Sequence, residues 1–346
     1  MSNKCVAIAL SGGVDSSVAA FLLKQNNYDV IGMHMLLFDA QNSQDSESLW
    51  HDIEDFCKKL NIPLYQVDLR NKFNKHIIDY FCREYDRGLT PNPCIYCNYY
   101  IKFGFLMEQA FNLGAEFLAT GHYARLANDN KGYHLLKGED SSKDQSYMLY
   151  QLQQIQLARI IFPLGNLSKK EVISIAQREK FSAAKRRSSQ DLCFFKGKYT
   201  DFLKQKVETK PGEIVDTSGK IVGSHRGLIY YTIGQRCGLV ISASRRLYVI
   251  KIDSPQNKIV IGTEEELYRA ELEVKNLNWI SGRAQESSIN VGVKIRYKSE
   301  PAKARLLVGS DKVKVIFDEA QRAISPGQAA VFYQENEVVG GGIIDN

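Results

Sequence analysis

No apolar run in this sequence approaches the roughly 20 residues that a membrane-spanning helix requires. No signal or transit segment precedes the first apolar stretch, which begins at Val6, so the chain is expected to stay in the cytoplasm. Cysteine is sparse and unevenly spaced, at seven in 346 residues. That excludes a disulfide framework and fits a reducing compartment. Internal repeats and low-complexity tracts are absent. Two familiar phosphate signatures are missing as well. No lysine follows the glycines of residues 11–17, which rules out a P-loop. Ser16 stands where a dinucleotide fingerprint needs its third glycine. No second cysteine pair or His-x-His cluster accompanies Cys94 and Cys97, so a four-ligand structural zinc site is discounted.

What is present describes an ordinary globular protein, with 44% hydrophobic and 24% charged residues. At 346 residues the chain is too long for a single core, and two or three domains are expected. A net charge of +6 permits a polyanionic partner such as nucleic acid.

The organising stretch is Ser11-Gly12-Gly13-Val14-Asp15-Ser16-Ser17. An apolar run over 6–10 reads as a buried strand before it, and a helix pattern over 18–23 follows, with Ser16 or Ser17 suited to the N-cap. Glycines between a strand and a helix bring backbone N–H groups and the helix's positive end to an anion. A tight turn without a ligand is the plainer alternative, disfavoured by paired glycines flanked by Ser and Asp.

Further on, strands are predicted over 30–38, 63–69 and 116–120, alternating with helices over 49–60, 75–85 and 101–113. This alternation predicts a doubly wound parallel sheet, with a ligand at the carboxyl ends of its strands. Three segments converge there: residues 11–17, the strand end near Met35, and Gly121-His122. After about residue 205 the pattern changes to short alternating runs with Pro-Gly and Ser-Gly turns, and a small antiparallel barrel is predicted near the end. The boundaries fall near 205 and 270. Basic and aromatic residues interleave in His225-Arg226-Gly227-Leu228-Ile229-Tyr230-Tyr231, which reads equally as an RNA grip or as a strand with two core tyrosines.

Cysteines carry the second signal. In Thr90-Pro91-Asn92-Pro93-Cys94-Ile95-Tyr96-Cys97, two prolines fix an extended loop, and Cys97 lies just before a helix, where a thiolate is favoured. Cys193 follows the basic run Lys185-Arg186-Arg187. A redox pair of Cys94 and Cys97 leaves the anion site of residues 11–17 and Cys193 without a role. A nucleophilic thiol with a sulfur carrier uses Cys97 and Cys193. An iron–sulfur cluster on Cys94, Cys97 and Cys193 is the other reading, and the persulfide is favoured because it needs only two thiols. Cys5, Cys57, Cys82 and Cys237 read as buried fillers.

The glycine loop resembles the SGGxDS signature of the PP-loop ATP pyrophosphatase superfamily, whose members cleave ATP between the α and β phosphates and hand AMP to a substrate oxygen. Added to it are Thr90-Pro91-Asn92-Pro93, Cys97-Asn98, Ala119-Thr120-Gly121-His122-Tyr123-Ala124-Arg125 and Lys143-Asp144-Gln145-Ser146-Tyr147. Cys193-Phe194, His225-Arg226-Gly227-Leu228, Tyr231-Thr232-Ile233-Gly234-Gln235-Arg236 and Ala323-Ile324-Ser325-Pro326-Gly327-Gln328-Ala329 complete the set. Together they make the whole chain similar to the tRNA-specific 2-thiouridylases, the MnmA family, which make 2-thiouridine at the wobble position of tRNA.

The resemblance implies an α/β protein: a PP-loop catalytic domain over 1–205, a small mixed domain over 206–270, and a C-terminal antiparallel β-barrel over 271–346, the last two touching tRNA. It implies a sulfurtransferase using ATP and Mg²⁺, with the tRNA anticodon loop and a persulfide sulfur donor protein (a sulfur relay or a cysteine desulfurase) as partners. By position, the nucleophile falls on Cys97 and the persulfide on Cys193. ATP falls on Ala9, Leu10, Ser11, Gly12, Gly13, Val14, Asp15 and Ser16, with Met35 and Gly121 at the adenosine. Asn92, Pro93 and Cys94 face the target base. His122, Lys143, Asp144, Gln145, Arg296, Tyr297 and Gln328 map to tRNA contacts, and Lys294, Lys298, Lys303 and Arg305 extend them as a basic face. Some members carry aspartate where this chain has Cys94, which leaves any acid–base role of that position in question. Another PP-loop synthetase, modifying tRNA or an amide, is the alternative.

Overall fold

The computed structural model describes residues 3–38, 43–185, 192–236, 246–283 and 287–345. Among them the strands form three sheets. The first is five-stranded and parallel, in the order β3-β2-β1-β4-β7, from β1 (Cys5–Ala9), β2 (Asp29–Leu36), β3 (Leu64–Asp68), β4 (Phe117–Ala119) and β7 (Ile160–Ile161). Strand β1 lies at its centre, which is why its sequence is apolar without alternation: Val6, Ala7 and Ile8 are wholly buried. From β1 the chain moves outward through β2 and β3, then returns to β4 on the other side. The crevice between the carboxyl ends of β1 and β4 is therefore the topological switch point, where such sheets hold ligands. Helix α1 (Val14–Gln25) packs on this sheet through Val18, Ala19 and Ala20, all fully buried.

The second sheet is four-stranded, β10-β11-β8-β9, from β8 (Gly212–Val215), β9 (Ile221–His225), β10 (Tyr248–Asp253) and β11 (Lys258–Gly262). The third contains β12 (Tyr268–Trp279), β13 (Ser288–Lys294), β14 (Ala302–Val308), β15 (Val313–Arg322), β16 (Ala329–Gln334) and β17 (Glu337–Ile344). These run antiparallel, and β12 also pairs with β17, which closes a barrel and leaves no free edge between them. Strand β14 shows the alternation, with Ala304 and Leu306 inside and Lys303 and Arg305 outside.

Beyond His225, which ends β9, the segment 226–231 forms no strand. Residues Leu228–Tyr230 are a 3₁₀ turn with Tyr230 and Tyr231 buried, and Arg226 lies 4.2 Å over the Tyr230 ring. Packing claimed these tyrosines. Of the presumed filler thiols, Cys57 is buried while Cys5 and Cys82 are only partly so, and Cys237 lies outside the described residues, as do Arg186 and Arg187.

A feature that local periodicity did not signal joins the first domain to the barrel. The hairpin of β5 (Ala124–Asp129) and β6 (Gly132–Lys137) leaves the parallel sheet and adds to β17, pairing Leu135 with Val338 and Leu136 with Glu337. On the same strand, a Cβ at Gly341 would lie 2.8 Å from the Tyr150 ring, so glycine there lets the domains meet. No helix among the described residues is long and apolar enough to cross a membrane.

His134 clamps this junction, its Nε2 lying 3.0 Å from Asp129 and its Nδ1 2.7 Å from Glu337. The hydrogen bond to Asp129, followed by that to Glu337, raises its pKa above the usual histidine range. The clamp's contribution is therefore complete below the unfolded value of about 6.5 and is lost as pH rises through the folded one. In urea unfolding, the stability gap between the natural chain and His134→Gln should be widest near pH 6 and should shrink above pH 8.

Candidate functional site

The stretch 11–17 turns tightly from β1 into α1. Gly12 adopts φ +74°, a left-handed conformation that suits glycine. The helix begins at Val14 with Gly13 as its N-cap, and no side chain caps it. Neither Ser16 nor Ser17 takes that place, because both lie inside the first turn. Ser16 Oγ instead ties the loop together, donating to the Gly13 carbonyl at 3.0 Å and accepting from the Ser11 N–H at 3.3 Å. An uncapped helix start of this kind leaves backbone donors for an anion. Ala9 and Leu10, at the end of β1, are buried beneath it, and Met35 lies half-buried near the end of β2.

Three consecutive residues after β4 organise what surrounds the loop. Gly121 packs on it so closely that a Cβ would come within 2.9 Å of the Asp15 carbonyl carbon and the Ser16 nitrogen. Tyr123 donates its hydroxyl to Asp15 Oδ1 at 2.7 Å. His122, between them, faces Lys102 through Nε2 and Thr120 through Nδ1. The same Asp15 oxygen lies 2.5 Å from the Lys169 ammonium. Lys169 opens the helix Lys169–Arg178, held by a Ser168–Glu171 capping box. The lysine that a P-loop would carry next to its glycines thus arrives from 154 residues away. Its capping box is visible in the sequence, but its partner is not.

The cysteine segment folds differently from the expected loop. Pro93 occupies the first position of a helix, where its missing N–H costs nothing, and Asn92 Oδ1 caps it by accepting from the Cys94 N–H at 3.2 Å. The helix then runs through 93–112, with a π-helical stretch over Cys97–Leu106. Cys97 is therefore inside the helix, not before it, and is 8% exposed. Burial pushes its thiol up to about 12; nearby Lys102 opposes this, while Cys193 and Cys94 add to it. The expected thiolate preference at a helix start is overturned by desolvation. Cys193 is exposed as a residue, yet the protein surrounding its sulfur desolvates the thiol and pushes it up to about 11, with Cys94 adding to the effect and Lys102 opposing it. Cys94 is raised by burial, again opposed by Lys102. The three thiols thus share one neighbourhood.

Phe194 holds the Cys193 loop there. It is buried against Phe73, Phe81 and Phe202 at ring distances of 5.8, 5.4 and 5.3 Å. Among the described residues, no three His, Cys, Asp or Glu side chains form a group that could hold a metal ion.

The residues mapped to tRNA contacts divide by burial. Asp144 is buried and accepts from the N–H groups of Gly138 and Ser146, each at 3.0 Å. Gln145 accepts from the Tyr123 N–H at 3.0 Å, and Lys143 lies half-buried beside them. Tyr297 is half-buried 6.1 Å from the Tyr147 ring, within electrostatic reach of Asp144 and Cys94. Arg296 donates to the carbonyls of Arg322 and Ala323, and Lys294 is buried, while Lys298, Lys303 and Arg305 face solvent. Gln328 donates to the Thr90 carbonyl at 2.9 Å, tying the barrel to the cysteine segment. Asn98 donates to the Met148 carbonyl at 3.0 Å, and its buried Oδ1 has no partner among the described residues.

Three family models match in succession: "tRNA methyl transferase HUP domain" over residues 4–197, "tRNA methyl transferase PRC-barrel domain" over 200–263, and "Aminomethyltransferase beta-barrel domain" over 269–344. The chain is 45% identical over 342 residues to the tRNA-specific 2-thiouridylase MnmA of Syntrophomonas wolfei, covering 98% of this chain and 99% of that one. It is 47% identical over 357 residues to MnmA 2 of a Thermoanaerobacter species, covering 99% and 98%.

The chain belongs to the MnmA family.

A third relative, MnmA 2 of Clostridium botulinum, is 43% identical over 350 residues, covering all of this chain and 99% of that one. In this MnmA-family chain, Lys169 brings an ammonium to Asp15 at the glycine loop. A hydrogen bond from a charged donor is worth about 1.5–3 kcal/mol, or roughly 10- to 100-fold in affinity. Lys169→Gln should weaken ATP and pyrophosphate by about that factor while leaving adenosine nearly unchanged, as read by titration calorimetry.

Proposed function

We propose that this protein is an ATP-dependent tRNA sulfurtransferase that replaces O2 of the wobble uridine with sulfur. The observation that carries this reading is the junction at residues 121–123, where Gly121 packs on the glycine loop and His122 meets Lys102, the lysine that acts on both thiols. ATP lies on residues 9–16, with its adenosine toward Met35 and Gly121. A single loop carboxylate, Asp15, fits Mg²⁺, which takes most of its ligands from phosphates and water. Mg²⁺ bound there would offset the charge that develops on the departing pyrophosphate.

The uridine, drawn out of its stack, faces the segment Asn92–Pro93–Cys94, with Tyr297 and Gln328 at its rim. Its O2 attacks the α-phosphorus, pyrophosphate leaves and the N3 proton passes to solvent. A poor leaving group, the carbonyl oxygen, is thereby converted into AMP. The terminal sulfur of a Cys193 persulfide then attacks C2, AMP departs, and the base is linked through two sulfurs to Cys193. The Cys97 thiolate attacks the Cys193 sulfur, and the bond to the base-bound sulfur breaks with its electron pair. That sulfur becomes the thiocarbonyl as N3 regains a proton. A dithiol reductant reopens the Cys97–Cys193 disulfide, and a persulfide-bearing donor protein reloads Cys193 in the cytoplasm.

The exposure of the two thiols supports this division of roles. Cys193 is open to a donor protein, whereas Cys97 is sheltered from one. The domains over 206–270 and 271–346, with exposed Lys298, Lys303 and Arg305, extend the tRNA-binding face. Sequence-specific RNA recognition favours single-stranded loops, which suits an anticodon.

The test combines a tRNA substrate with cysteine variants. Cys97→Ser and Cys193→Ser should each abolish 2-thiouridine, seen by nucleoside mass analysis, while tRNA-dependent pyrophosphate release continues. Continued thiolation by either variant removes the assignment.

A further inference from the structure

The helix carrying Cys94 and Cys97 is π-helical for ten residues from Cys97. Such stretches are rare, usually single turns inside α-helices, and are frequent at functional sites. A π-turn joins residues i and i+5, which puts Lys102 on the same face as Cys97. In an α-helix the two side chains would diverge by about 140°. Gly104 accommodates the winding, since a Cβ there would lie 3.1 Å from the Tyr99 carbonyl oxygen.

Lys102 ends against His122, Nζ to Nε2, at 3.4 Å. The other ring nitrogen lies 2.7 Å from Thr120 Oγ1. The rings of Phe103 and Phe162 flank the imidazole at 5.9 and 6.0 Å. In this apolar box burial, followed by the Lys102 charge, holds the His122 pKa well below the usual range. A neutral imidazole that gives its Nδ1 proton to Thr120 offers a lone pair at Nε2. His122 is thus an acceptor that aims the ammonium.

Resting on the persulfide reading above, we propose that Lys102 is the positioning residue of sulfur transfer: aimed by His122 from the π-helical face, it stabilises the negative charge that the Cys97 sulfur carries as it attacks Cys193. The charged and titratable groups acting on Cys97 are Lys102 and Cys94 from its own helix and Cys193 from the facing loop. Lys102 alone among these carries positive charge, and it opposes the effect of burial on all three thiols. The covalent step keeps its balance. Cys97 loses a proton to water, the Cys97–Cys193 bond forms, and the electron pair of the broken S–S bond stays on the sulfur bound to the base.

The test uses the full chain and the variants Lys102→Gln and Lys102→Arg. The rate of Cys97 alkylation by iodoacetamide is followed against pH by peptide mass spectrometry. Glutamine keeps a donor for His122 without the charge. It should move the Cys97 profile up by a unit or more and slow alkylation at pH 8 about tenfold, because the thiolate is the reactive form. Arginine should restore most of the rate. If circular dichroism shows Lys102→Gln unfolded, His122→Asn, which frees the ammonium from its acceptor, should shift the profile in the same direction. An unchanged profile in a folded variant overturns the proposal. Thiolation that persists in Cys193→Ser would instead sink the persulfide reading, whatever the Cys97 profile shows.

Discussion

The contact of Gly121 with the backbone of Asp15 and Ser16 is the constraint on which the rest of the site depends. A methyl group at that position would fall 2.9 Å from the loop, so the end of β4 can approach β1 only as glycine. Because β1 and β4 flank the switch point of the parallel sheet, this approach closes the crevice where a nucleotide binds. His122 and Tyr123 inherit their directions from it. One reaches Lys102, and the other holds Asp15. In the proposed reaction, three residues of chain join the adenylation site to the sulfur chemistry.

Burial divides the chemistry among the thiols. Taking a thiol out of water disfavours its charged form, and Cys97 pays that penalty more heavily than Cys193. Exposure suits a sulfur that a partner must load. Shelter suits one that must react only after the base is attached, since a freely exposed thiolate would be open to oxidation. The aromatic cluster around Phe194 makes this apposition part of the core, so the Cys193 loop is anchored within one residue of its sulfur.

Much of this was legible from the sequence, and the gaps have physical causes. The glycine loop reads directly because its conformation depends on local residue types, and the parallel sheet reads from alternation of apolar strands and helices. The helix over 93–112 was read as starting only near Ile101. Its true start depends on an Asn92 cap and on Pro93 at the first position, and a proline can mark either a break or a beginning. The π-helical stretch escapes any search tuned to 3.6 residues per turn, which is why Lys102 went unnoticed beside Cys97. Lys169 and the β5–β6 hairpin are long-range partners whose local sequences say nothing of where they dock. Tyr230 and Tyr231 look the same on paper whether they stack on bases or fill a core.

The account's central claim is that the thiols of Cys97 and Cys193 face each other in the folded chain beside the nucleotide loop. Mild oxidation of the native protein with diamide, followed by peptide mapping under non-reducing conditions, measures this directly. The account predicts a Cys97–Cys193 link as the main product, formed with the fold intact. A native chain in which Cys193 couples elsewhere, with the 97–193 link appearing only after denaturation, would contradict it.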